Sequence, residues 1–163
     1  MEILIRKESA YLNIIKWIVK ISKVDGIVWL LQNTHDMTKY RAKLTSLSKL
    51  PTGTVGRELA LLLYENRMEL IPKFEDHDLK HLLLEYEMNP VDEIKMQAFL
   101  LGNGNYTLPC VLFLSLGLFM PTYWSAFKQE YKRGRRAKSV LHLTIENCSF
   151  KNLMNLKREL ELI

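Results

Sequence analysis

Two histidines and two carboxylates are the residues of this sequence whose types and spacing could bind a metal ion. His77 and His81 are four residues apart, so on an α-helix their side chains lie one turn apart on the same face. Two imidazoles at this spacing can reach one ion at about 2.0–2.1 Å, as they do in helix-borne zinc sites. Asp78 lies at the edge of that face, and Glu93 follows His81 after eleven residues. This donor set suits zinc, iron or manganese rather than calcium.

The elements that must position these residues are indicated by cap and turn residues. A helix from His77 to Met88 would carry both imidazoles, and Asn89-Pro90 then marks a new helix start, because asparagine caps well and proline suits the first helical position. Glu93 would return from that next helix. Acidic residues are stabilising in a first turn anyway, and histidines at four-residue spacing are common by chance. The residues alone therefore leave a metal site and ordinary helix ends as equal alternatives.

Apolar residues recur with helical periodicity almost throughout, which predicts an all-α, single-domain bundle of about seven helices over residues 1–163. Thr54 is the predicted N-cap of a helix running to Asn66, and the Gly-Asn-Gly-Asn sequence at 102–105 predicts a turn. A second helical segment is expected from Ile27 towards Leu44, and only residues 139–145 resemble a strand. A first helix is predicted from the apolar spacing of Tyr11, Ile14, Ile15, Ile18 and Ile21.

No charged residue occurs between Met96 and Phe127. Spanning a bilayer takes roughly 20 apolar residues, and this stretch is interrupted by Gly-Asn-Gly-Asn and by Pro121. A buried core helix is the favoured interpretation; the wall of an apolar, lipid-sized cavity and a face that touches the membrane are the alternatives. The residues that such a cavity would use to contact lipid are Phe99, Leu112 and Leu116.

A basic cluster follows, with six basic residues and only Glu130 as an acid from residue 128 to residue 138. Within it, Arg133 and Arg135 could bind a substrate carboxylate or phosphate, or anionic lipid, although cations also stabilise the C-terminal end of a helix. Arg57 is a weaker candidate, since its glycine-rich loop lacks the ending of a nucleotide-binding loop. Nucleic acid is not expected as a partner, because the cluster is short and no recognition motif accompanies it.

The motif His-Asp-x-x-His, followed by Glu after eleven residues, resembles that of the coenzyme Q biosynthesis protein 4 family. Three further segments resemble the family in the right order, so that the similarity covers about residues 50 to 140. Residues 50–58, Leu-Pro-Thr-Gly-Thr-Val-Gly-Arg-Glu, are similar to its glycine-rich segment, Gln97-Ala98-Phe99 with Gly102 to the stretch after its metal-binding Glu, and residues 131–137, Tyr-Lys-Arg-Gly-Arg-Arg-Ala, to its C-terminal Tyr-x-x-Gly segment.

The resemblance implies an all-helical protein, peripheral to a membrane and needed for ubiquinone biosynthesis. It implies one divalent metal, zinc before iron or manganese, with His77, Asp78, His81 and Glu93 as ligands. The family is associated with removing the carboxylate of a polyprenylated hydroxybenzoate and with holding pathway enzymes together. The expected partners are thus an isoprenoid or quinone-type lipid, the membrane surface and other quinone-biosynthesis enzymes. The short chain without a transit segment leads us to expect a bacterial homologue, cytoplasmic and peripheral to the inner face of the membrane, and the uncharged stretch favours a homo-oligomer.

Two functions from different classes remain open on the sequence. The protein could be a metal-dependent decarboxylase, oxidative or not, or a non-catalytic scaffold that binds an isoprenoid lipid and organises biosynthetic enzymes at the membrane. His77-Asp78 is also the central doublet of the HD phosphohydrolases. That class needs a well-separated downstream aspartate, whereas Asp92 is the last aspartate here and lies close to the doublet, so phosphohydrolysis is disfavoured.

Overall fold

The computed structural model describes residues 33–163, and this part of the chain contains eight α-helices and no β-strand. The all-α prediction is confirmed, with a helix number close to the predicted seven. The predicted helix around residues 11–21 and residues 27–32 of the second one lie outside the described residues. The helices are α1 (Met37–Ser48), α2 (Val55–Glu65), α3 (Glu75–Leu84), α4 (Pro90–Gly102), α5 (Leu108–Leu116), α6 (Trp124–Arg136), α7 (Ile145–Cys148) and α8 (Leu153–Glu159), with 3-10 turns at Gly117–Phe119 and Pro121–Tyr123 between α5 and α6.

Helix starts lie where the cap residues predicted them. The Thr54 hydroxyl accepts from the backbone N–H of Arg57 at the start of α2, and the Asn89 side chain accepts from the first N–H groups of α4, where Pro90 is the first residue. α1 is different: Asp36 caps it, so the expected segment from residue 27 to 44 is interrupted before Met37 and the helix extends to Ser48. Residues 139–144 form irregular backbone with a turn instead of the suggested strand, and Ile145 begins α7.

The C-terminal end of α3 was predicted wrongly. The helix ends at Leu84 rather than Met88, because Glu85 adopts the left-handed conformation with φ of 61°. Glycine usually occupies that position, but here the Glu85 carboxylate accepts a hydrogen bond of 2.6 Å from the buried Lys157 ammonium of α8. The early end leaves a short turn, residues 85–89, between α3 and α4.

Two apolar clusters hold the helices together. The larger one joins α1 to α4 with α7 and α8 and includes the fully buried Leu59, Leu63 and Phe99. The smaller one lies between α4, the α5–α6 connection and α6, around Ile94 and Phe127.

α4 and α6 cross with their backbones in contact. A Cβ atom added at Gly102 would lie 2.1 Å from the carbonyl oxygen of Tyr131, and one added at Gly134 would lie 2.0 Å from that of Phe99. Side chains at either position would force the helices apart, so glycine is required at both. The crossing fixes α6 against the helix that carries Glu93.

The core interpretation of the uncharged stretch is wrong for most of α5. Cys110 is the only buried residue of this helix, and exposed apolar residues recur along residues 108–124, a set that we call the apolar edge. Among the described residues, no single helix has the length and hydropathy to cross a membrane; Leu108–Phe119 and Pro121–Arg136 reach that length only as a pair, bent by 108°. The apolar edge comprises Leu108, Val111, Leu112, Leu118, Phe119 and Trp124, which are 46–69% exposed.

Candidate metal centre

The α3–α4 turn brings three of the four predicted ligands together. His77 and His81 lie one turn apart on α3, and their Nε2 atoms are 3.2 Å apart. Glu93, in the first turn of α4, places its Oε2 atom 3.2 Å from Nε2 of His81 and 3.4 Å from Nε2 of His77. Within residues 33–163 this is the one group of three or more potential ligand atoms at mutual distances below 4.8 Å.

The spacing of these atoms fits a metal ion. Ligands at about 2.0–2.1 Å from a tetrahedral zinc ion are separated by about 3.3 Å, which agrees with the three observed distances of 3.2, 3.2 and 3.4 Å. Two neutral imidazoles that point their lone pairs at each other repel unless a proton or another cation lies between them. The residues therefore fit a divalent ion, with a fourth tetrahedral position left for a further ligand.

Two further residues, which the sequence analysis missed, orient the ligands. Nδ1 of His81 donates to the backbone carbonyl of Tyr86 at 3.1 Å, and Nε2 of Gln97 donates to Oε1 of Glu93 at 3.0 Å. Gln97 lies one turn after Glu93, so helical spacing alone could have identified it. Tyr86 could be found only from the early end of α3, for which the sequence carries no glycine or proline signal.

The carboxylate of Glu93 and the neighbouring imidazoles shift the pKa values of this group. Burial alone would raise the pKa of Glu93. Hydrogen bonds and the charges of His77 and His81 lower it by a larger amount, so that the pKa lies well below its usual range. Burial lowers the pKa of His81, whereas its hydrogen bond and charge interaction with Glu93 raise it, and the net pKa is raised. A cation between these groups would take over the role of the imidazole protons.

Asp78, the fourth predicted ligand, is buried but is not part of the three-residue group. Burial raises the pKa of its carboxyl to about 6, and the nearby His77 and His81 act in the opposite direction. Its assignment as a ligand therefore stays a prediction, and the fourth position could equally hold water.

Comparison with solved structures finds similar folds. A Nostoc punctiforme protein assigned to ubiquinone biosynthesis matches with a TM-score of 0.53 and 24% sequence identity, covering 73% of this chain and 67% of the other. The two proteins share a fold. No protein-family model and no curated protein matches the sequence.

The predicted lipid-contacting residues do not form one group in the described part of the chain. Phe99 is fully buried in the larger core cluster, Leu112 belongs to the apolar edge, and Leu116 is half-buried against the smaller cluster. The lipid-sized cavity thus stays a prediction.

The three predicted basic residues have different surroundings. The Arg57 guanidinium donates to the carbonyl of Ser48 at the end of α1, and Arg135 is exposed in the last turn of α6. Arg133 is half-buried: its guanidinium lies over the rings of Phe99 and Tyr86, 5.3 and 5.9 Å from their centroids. A substrate-binding role for these arginines stays a prediction.

Proposed function

We propose that this protein binds one divalent metal ion through His77, His81 and Glu93 and acts on a quinone-type lipid precursor at a membrane surface. The observation that carries the metal site is the tetrahedral spacing of the three ligand atoms. The resemblance over residues 50–140 and the shared fold with a protein assigned to ubiquinone biosynthesis support the same pathway for this chain.

The metal site is tested by elemental mass spectrometry on protein purified without chelator or affinity tag. We expect about one divalent ion per chain in the wild type and a loss of at least tenfold in His81→Ala and in Glu93→Ala. His142→Ala, which changes an exposed histidine outside the group, is the matched control and should keep the ion. A wild type that takes up no metal after reconstitution with zinc, iron(II) or manganese would contradict the proposal.

The finer proposal is decarboxylation of a prenylated hydroxybenzoate. The bond between the ring carbon and the carboxylate breaks, carbon dioxide leaves, and the ring carbon takes a proton. When bound, the ion would supply a Lewis acid beside the phenol oxygen, where it stabilises negative charge on the ring. Single-turnover reactions with each reconstituted metal should release carbon dioxide. Release by none of them, from a protein that does bind metal, would favour the alternative function of a non-catalytic lipid-binding scaffold.

The apolar edge is proposed to contact an anionic membrane. Monomeric soluble proteins rarely expose large contiguous apolar patches without a function, and Trp124, whose ring is held by its hydrogen bond to the Gly117 carbonyl, suits the interface between lipid and water. Lys128 and Lys132 follow Trp124 at steps of four residues on α6 and are exposed. The same helix face thus passes from apolar to basic, which complements lipid tails and anionic head groups.

Vesicle sedimentation tests this contact. Wild type should bind phosphatidylglycerol vesicles, and the triple variant Leu112→Ser, Leu118→Ser, Phe119→Ser should not. Lys128→Gln with Lys132→Gln should weaken binding to anionic vesicles, each lysine contributing about 1 kcal/mol. The double variant Leu141→Ser, Phe150→Ser removes exposed apolar residues elsewhere and should bind like wild type. The proposal fails if the wild type binds no vesicles and is a dimer in size-exclusion chromatography while the triple variant is a monomer. In that case a second copy of the chain covers the apolar edge.

A further inference from the structure

Tyr86 links the metal centre to α6. Its backbone carbonyl accepts from Nδ1 of His81, which leaves Nε2 of that imidazole directed at His77 and Glu93. A histidine ligand almost always donates its other ring N–H to such an acceptor, which fixes the ring and its tautomer. The position of one carbonyl in the turn after α3 therefore decides how well His81 can bind an ion.

The Tyr86 hydroxyl fixes that carbonyl from the other end of the residue. Tyr86 is 7% exposed, and its hydroxyl donates to Oε2 of Glu130 at 2.5 Å. Glu130 belongs to α6, so the hydrogen bond connects the turn to a helix far away in the sequence. A hydrogen bond to a carboxylate is about twice as strong as one between neutral groups.

Arg133 completes the network one turn further along α6. Its Nη1 atom lies 3.3 Å from Oε2 of Glu130 and 3.4 Å from both the Tyr86 hydroxyl and the carbonyl of Leu84, the last residue of α3. The guanidinium also covers the Tyr86 ring. Arg133 thus holds both the end of α3 and the residue that orients His81.

The backbone contact between α4 and α6 at their glycines, which we call the glycine crossing, holds this network in a fixed position relative to α4. α4 carries Glu93, and its backbone contacts that of α6 at Gly102 and Gly134. Glu130 and Arg133 lie in the same α6 segment. One ligand therefore comes from α4, while the group that orients His81 is fixed by α6, and the two helices cannot separate without losing their contact.

We propose that Tyr86, Glu130 and Arg133 are positioning residues that set the affinity and geometry of the metal centre by holding the carbonyl that orients His81. This inference rests on the proposed metal site. Loss of a group that orients a metal ligand through a hydrogen bond typically lowers metal affinity by about 10–100-fold. Because these residues do not touch the ion, their removal should weaken binding without abolishing it.

The test compares cobalt(II) affinity and the visible cobalt spectrum of the full-length wild type with those of Tyr86→Phe and Glu130→Ala. We expect an affinity loss of about tenfold or more in both variants, with a changed spectrum. Glu130→Gln keeps an oxygen that accepts from the tyrosine and should retain affinity within about threefold. Tyr123→Phe, the same change in the smaller apolar cluster, is the control and should match wild type.

Melting of the metal-free proteins in chelator separates positioning from general destabilisation. A variant whose metal-free melting temperature equals that of Glu130→Gln but whose cobalt affinity is lower supports a positioning role. Wild-type affinity and spectrum in Tyr86→Phe and Glu130→Ala, beside a wild type that binds cobalt, would overturn this inference and leave the metal site intact. A wild type that binds no cobalt would overturn both. If Tyr86→Phe fails to fold, Glu130→Ala against Glu130→Gln decides.

Discussion

The imidazole of His81 illustrates which properties of the site could be predicted from sequence. Its alignment with His77 follows from four-residue spacing, and the approach of Glu93 follows from the helix start at Asn89-Pro90, so these contacts were predictable. Its bond to the Tyr86 carbonyl was not, because it depends on where α3 ends. Asp78 shows the same limit, since helical spacing places it near the two imidazoles but does not decide whether its carboxylate reaches an ion.

The buried thiol of Cys148 makes stability fall at high pH. Burial is the main reason that the pKa of this thiol is raised, from 9.0 to about 11. Between these values the thiol ionises in the unfolded chain and stays protonated in the folded one, so the free energy of unfolding decreases as pH rises. Between pH 8 and pH 11, we expect the free energy of unfolding of the wild type to fall by about 2–3 kcal/mol more than that of Cys148→Ala. Urea unfolding at several pH values measures this, and equal slopes for the two proteins would contradict the prediction.

Helices α3 and α5 differ from their predictions for different physical reasons. α3 ends early because Lys157, 72 residues away, stabilises Glu85 in a conformation that glycine would normally adopt. α5 is apolar enough for a core helix, yet composition does not specify which of its faces packs against a neighbour, and in the described structure only Cys110 of this helix is buried. In contrast, α2 and α4 begin as predicted because their caps are local.

The two glutamates that end helices in the left-handed conformation provide a matched comparison. Glu85 has φ of 61° and Glu161 has φ of 58°. Replacing a residue in this conformation by glycine relieves about 1 kcal/mol of backbone strain. Glu161→Gly should therefore be neutral or stabilising, because the pair with Lys138 that it removes is exposed on both sides and contributes little.

Glu85→Gly should instead destabilise the protein by about 1–2 kcal/mol, because it leaves the buried Lys157 ammonium without a partner. Adding Lys157→Met to Glu85→Gly should recover most of the loss. Urea unfolding of the three variants measures these changes. Equal effects of the two glycine substitutions would show that the ion pair between Lys157 and Glu85 does not hold the end of α3.

For the whole molecule, the helical periodicity of the apolar residues predicted the fold class. The helical fold and its single-domain arrangement agree with the prediction over residues 33–163, and the Nostoc punctiforme structure has the same fold. The contact between α4 and α6 could not be predicted from sequence, because each glycine approaches backbone that is distant along the chain: Gly102 that of Tyr131 and Gly134 that of Phe99. Glycine in a helix usually indicates a weak position, whereas here it permits backbone contact between α4 and α6.

Gly134→Ala should destabilise the protein by about 3 kcal/mol or more, because the new Cβ would overlap the Phe99 carbonyl and backbone cannot move aside as a flexible side chain can. Ser125→Ala, an exposed position on the same helix, should change stability by less than about 0.5 kcal/mol. Thermal unfolding of both variants beside wild type measures the difference. A stable Gly134→Ala protein would show that α4 and α6 can separate without cost.

The glycine crossing also has a consequence for motion. Helices in backbone contact have no layer of side chains between them that could change rotamer and let them slide. α4 and α6 should therefore move as one rigid body, and Glu93 should share its dynamics. His77, a third of whose side chain is exposed, lies on the other helix. Any opening that admits a large substrate to the ion on a microsecond to millisecond timescale must then come from displacement of the N-terminal part of α3, since Arg133 holds the C-terminal end of that helix to α6.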